Sequence, residues 1–96
     1  MAQVDLHRLG DGLLVVDLQT DLIGLNASRI VAPLRAEGAL AFPGLTPVVE
    51  AEGGRWLVRM QELAAVPAVE LGAPVGSLAA HRDALKRALD ILIDGV

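Results

Sequence analysis

The chain has 96 residues, 53% of them hydrophobic, with a mean hydropathy of +0.51 and a net charge of −4 from 8 basic and 12 acidic side chains. That length sustains one core, so a single domain over residues 1–96 is expected, and the lack of cysteine excludes disulfides, thiolate metal sites and cysteine nucleophiles. An acidic chain whose aromatics are Phe42 and Trp56 lacks the basic stripe and stacking platform on which direct nucleic-acid binding rests.

Short apolar runs punctuated by Gly, Pro and Asp predict strands up to about Gly76. Gln3 to Leu9 and Leu13 to Asp17 flank Gly10-Asp11-Gly12, a hairpin turn. Arg29 to Pro33 reads as a third strand, with the proline marking an edge or an end. Leu34 to Leu45, rich in Ala and Gly, reads as a loop. Thr46 to Ala51 and Arg55 to Met60 flank Glu52-Gly53-Gly54, a second hairpin, and Val66 to Leu71 is a weaker sixth strand. Strands this short cannot leave their edges bare, which predicts a small curled sheet or partly closed barrel, mainly β with α+β character. The uncharged stretch Gly38 to Val49 falls short of the roughly 20 apolar residues of a spanning helix. No basic segment followed by an apolar run opens the chain, so a cytoplasmic protein is expected.

After Gly76 the period becomes helical. Ser77 can cap, and Leu78, Leu85, Leu89, Leu92 and Val96 form one stripe. Ile93 lies on one margin and Ala88, Ala84 and Ile91 on the other. At about 100° per residue the apolar arc spans roughly 200°, wider than one core face requires. The polar arc holds Lys86, Asp90, Asp83, Asp94 and Arg87. A helix that packs on its own sheet and also on a second subunit fits this arc, and a homodimer would cover the apolar surplus. Asp94 sits beside the negative end of the helix dipole, where Lys or Arg would be locally better.

Catalytic and metal constellations fail one by one. Asp17, Gln19 and Asp21 would share one strand face, read as a solvated outer face opposite Val16 and Leu18. As a calcium loop the segment has Leu22 where glycine is needed and Ser28 where a bidentate Glu is needed. His7 and His81 lack any ligand spacing, and Ser28 and Ser77 lack a nucleophile elbow. Gly72 to Gly76 is no phosphate loop, and Trp56 reads as a core residue whose indole N–H needs a partner. The expectation is a non-enzymatic protein without metal or cofactor.

The order Asp17-Leu18-Gln19-Thr20-Asp21-Leu22-Ile23, Arg29-Ile30-Val31-Ala32-Pro33-Leu34, Pro47-Val48-Val49, Trp56, Leu63-Ala64-Ala65-Val66-Pro67 and a helix ending Gly95-Val96 resembles the CcdB family of toxins from toxin–antitoxin pairs. The resemblance implies an SH3-like small barrel of the CcdB/MazF type with one C-terminal α-helix, dimerised through apolar surface. It implies that the helix end inserts into the A subunit of DNA gyrase and traps the cleavage complex, and that a CcdA-like antitoxin removes the toxin. Carried onto this chain, the gyrase-binding positions are Leu22, Ile23, Asp90, Ile93, Asp94, Gly95 and Val96. Asp94 replaces the family tryptophan; losing such an anchor costs at least about 2 kcal/mol of binding. The alternative is therefore a CcdB-fold protein that binds antitoxin but has lost or changed its gyrase target. A MazF-like endoribonuclease shares the barrel, and the net charge of −4 argues against it.

Overall fold

The computed structural model describes residues 3–19, 28–36 and 41–95. Seven strands form one strongly curled sheet: β1 (Asp5–Arg8), β2 (Leu14–Asp17), β3 (Ser28–Ala36), β4 (Val48–Ala51), β5 (Gly54–Val58), β6 (Ala64–Pro67) and β7 (Gly76–Ser77), followed by α1 (Arg82–Asp94). The strand order is β4-β5-β3-β2-β1-β7, with β6 also paired to β3. This is the curled sheet and terminal helix expected from the residue pattern.

Both hairpin turns form where glycine makes positive φ easy. In the first, Asp11 Oδ1 accepts the Leu13 N–H at 2.9 Å and Gly12 has φ 87°. In the second, Ala51 faces Gly54 across a two-residue turn in which Glu52 (φ 49°) and Gly53 (φ 75°) are both left-handed. Glu52 is held there by an ion pair to Arg8.

β3 is longer than the sequence pattern indicates, and Pro33 stands within it instead of at an edge or end. One edge of β3 pairs with β2 (Val16↔Ala32), and the other is shared between β5 (Leu34↔Val58) and β6 (Val31↔Ala64). Continued unbroken, the β5 register would set Val31 against Gln61. It meets Ala64 instead, three residues on, because the 3₁₀ turn Met60–Glu62 is inserted. Pro33 O accepts the Arg59 N–H at 2.9 Å, so the donor that proline lacks would point into this break in the ladder. Part of the segment read as a loop is thus strand, through Ala36.

The sheet is covered on both faces, which is why all four residues of β2 are buried. Leu6, Leu14, Val16, Ala32 and Leu34 form the main core with Met60, Leu78, Leu85 and Ala88. Val15, Val31 and Leu71 form a second cluster on the opposite face, joined by Leu13 and Val66. Leu71 arrives there because the predicted sixth strand ends at Pro67 and continues as a 3₁₀ turn, Ala68–Glu70. His7, fully buried, donates from Nδ1 to Leu71 O at 3.2 Å. Trp56 donates its indole N–H to Ala51 O at 2.9 Å, the partner its strand position called for.

The helix starts later than expected. Ser77 Oγ accepts the Ala79 N–H at 3.2 Å, but Leu78 stands at the cap position of the 3₁₀ turn Ala79–His81 and His81 at that of α1, so the expected serine cap does not form on the helix. Leu85 and Ala88 are the buried residues of α1, Leu89 is half-buried, and Leu92 is 37% exposed. The stripe is thus centred nearer Ala88 than the sequence reading placed it, and its Leu92 end runs past the sheet. Leu85→Ala is expected to cost about 2–5 kcal/mol and Leu92→Ala about 0.5 kcal/mol or less, as read by urea unfolding. Equal losses would show that α1 packs along its whole length.

Candidate functional site

The C-terminal end of α1 is a well-formed helix terminus whose residues 92–95 are exposed. Gly95 adopts φ 78°, ψ 8°, and its N–H bonds Ile91 O at 2.9 Å, so the last turn is closed by a left-handed cap. A Cβ at Gly95 would meet nothing within 4 Å. Glycine is therefore needed for its conformation and not for space. Ile91 turns back onto the protein, close enough to Gly44 that a Cβ there would lie 2.9 Å from Ile91 Cδ1.

Of the residues predicted for the site, Asp90, Ile93, Asp94 and Gly95 come together on this end and all are exposed, Ile93 by 70%. With Leu92 they form an apolar ridge edged by two carboxylates one helical turn apart. Leu22, Ile23 and Val96 lie outside the described residues, so their placement relative to the ridge is not part of this geometry. No basic residue occupies the last turn, so nothing on α1 offsets Asp94 at the negative end of the dipole.

Asp17 and Gln19 do not form a solvated face. Asp17 and Arg29 are an ion pair with both side chains fully buried, Arg29 Nε and Nη2 lying 2.9 and 2.8 Å from Asp17 Oδ2. Arg29 Nη2 also donates to Gln19 O at 2.7 Å. Asp17 Oδ1 accepts the Gln19 N–H at 3.0 Å, and Gln19 Oε1 accepts the Ile30 N–H at 3.2 Å. The alternation was read correctly, but the outer face carries the second cluster, so a residue there is buried. The group clamps β2 to β3 where the two strands part, and both ends of the intervening segment are fixed by it.

A second feature had no sequence signal. Gln3 and Val4, far from α1 in the chain, meet its N-terminal half to enclose a cleft of about 300 Å³, lined also by Leu18, Leu85, Leu89, Arg82, Lys86 and Asp90. Arg82 reaches this place by donating from Nη1 to Gln3 Oε1 at 2.7 Å. Among the described residues no group of three or more His, Asp or Glu could hold a metal ion, and no helix is long and apolar enough to cross a membrane.

The CcdB protein family model matches residues 5–95. Among solved structures, an endoribonuclease from mycobacterial species is similar with a TM-score of 0.78 at 13% identity, over 97% of this chain and 90% of that one. The Mycobacterium tuberculosis toxin MazF-mt6 is similar with a TM-score of 0.77 at 18% identity, over 96% of both chains. At such identities these two likenesses show a common fold.

Removing one partner of the buried pair strands a charge, which typically costs about 3–5 kcal/mol. Arg29→Met is expected to destabilise by that amount, and the double variant Asp17→Val/Arg29→Met to regain much of it. Denaturant unfolding of both variants checks this, and a double variant no better than the single one would mean that the pair contributes more than mutual neutralisation.

Proposed function

Because the chain belongs to the CcdB family, we propose that it is the toxin of a type II toxin–antitoxin pair, acting without catalysis as a cytoplasmic homodimer that grips the A subunit of DNA gyrase. A cognate CcdA-like antitoxin neutralises it. The observation that carries this reading is the helix end: a capped terminus that presents Leu92 and Ile93 to solvent, with Asp90, Asp94 and Gly95 around them. A rigid apolar projection binds at low entropic cost, since its conformation is fixed before the partner arrives. Val69, Phe42 and Val48 are also exposed, Val69 by 91%, and supply apolar surface for a second subunit.

The charge layout supports binding over ribonuclease action. Arg29 is spent on Asp17, Arg8 on Glu52, and Arg35 and Arg59 on Glu62. A phosphate-tracking groove needs several uncompensated cations along its floor, whereas Arg82 and Lys86 only edge an apolar one. The alternative within the same fold, a protein that has changed target, rests on Asp94: its exposed carboxylate needs a cation on any surface that buries it.

Titration of the gyrase A subunit with wild type, Ile93→Ala and Asp94→Trp tests the reading. Binding by wild type that falls about tenfold in Ile93→Ala supports it. Binding by Asp94→Trp alone would assign the chain to the changed-target alternative, and no binding by any of the three would remove gyrase as the partner. Asp94 is exposed, so melting temperatures of the variants are expected to stay within a few degrees.

A further inference from the structure

The cleft between α1 and the start of the chain has features that the helix end does not use. Its floor is apolar, built from Val4 and Leu85, both buried, with Leu18 and Leu89 half-buried beside them. Its rim carries Arg82 and Lys86, both exposed and one turn apart on α1. Neither has a carboxylate partner among the described residues, in a chain where acids outnumber bases by 12 to 8. Arg82 is oriented by Gln3 Oε1, a neutral acceptor, while Gln3 Nε2 is anchored on Leu18 O at 3.1 Å. The guanidinium is thus fixed in place, its charge met by no carboxylate among the described residues. Arg82 is also the first residue of α1, where the helix dipole disfavours a cation, so local stability gives no reason for it. Asp90 closes the other end of the cleft.

We infer that this cleft is the docking site for an acidic, amphipathic segment of a protein partner. One or two large apolar side chains fill the floor, and carboxylates beside them meet Arg82 and Lys86. Asp90 fixes the direction in which the segment lies, because it repels the acidic end. On a chain of net charge −4 this is a local reversal of sign, so it selects register more than overall attraction. Resting on the toxin–antitoxin reading, the inference assigns the segment to the antitoxin.

The test titrates the antitoxin encoded beside this chain into wild type, R82E/K86E and R87E, with circular dichroism as a fold check and sedimentation of each toxin alone. Arg87 is on the same helix but does not line the cleft, so it controls for charge alone. The expected result is a loss of about tenfold or more for R82E/K86E that shrinks in high salt, with R87E unchanged. Exchanging the segment's carboxylates for amides should reproduce the loss. Equal binding by all three toxins overturns the cleft and leaves the antitoxin reading standing, whereas no binding by wild type overturns both. Loss of self-association in R82E/K86E would show that a second copy covers the cleft, and would also overturn the inference.

Discussion

Everything in this fold hangs on β3, which must satisfy two edges at once with a proline in its middle. Pro33 has no N–H to give, and the structure places the gap it leaves opposite the Met60–Glu62 turn. That turn is an odd-numbered insertion, and an odd shift exchanges the faces of a strand. Met60 keeps the alternation of Val58 and lies fully buried in the main core against α1. Beyond the turn the faces are exchanged, so that Val66 of β6, and Leu71 after it, join the opposite face. One break in one ladder thus lets a single run of chain serve first one layer and then the other.

The buried Asp17–Arg29 pair follows from the same double cover. A carboxylate and a guanidinium that lose all their water recover little net stability from each other. What the pair supplies is register. A slip of β2 against β3 by one residue would bury Asp17 with no cation to meet it, at a cost of several kcal/mol. Correct pairing is therefore favoured where β2 and β3 separate.

Local chemistry was legible in the sequence, and long-range cover was not. Glycines marked both hairpins because left-handed φ is a property of a few neighbouring residues, as at Gly12 and Gly53. Strand punctuation and helical period led to the curled sheet and the helix, and the family resemblance narrowed them to an SH3-like barrel. Asp17 was misread as solvated because alternation tells which face a residue takes and not whether that face is covered. Leu71, which joins the cluster on that face, comes from a distant part of the chain. The helix face differed for a related reason: periodicity tells which residues share a face and not which of them the fold covers, so Leu85 and Ala88 are buried while Leu92, between them in angle, is exposed. The cleft gave no signal because Gln3 and Arg82 meet only in the folded chain.

Leu92 shows what the overrun of α1 means. It stands seven residues after Leu85 and four after Ala88, on the face that both bury, yet it is exposed. The core stripe thus continues into solvent, and under the proposed reading stability and partner binding draw on one helix face and divide it by length. The charges divide it the same way. Arg82, Lys86 and Arg87 lie toward the N-terminal half, where Asp83 is the one acid, while Asp90 and Asp94 lie toward the end, against the preference of the dipole. A tryptophan in place of Asp94 would leave an aromatic side chain in water until a partner covered it, whereas a carboxylate there is already solvated. In the proposed function, binding at this end then depends on the partner's charge as well as its shape, and an acidic segment suited to one half of α1 is repelled by the other. On that reading, opposite charges along one short helix would give two partners of different chemistry separate places to bind.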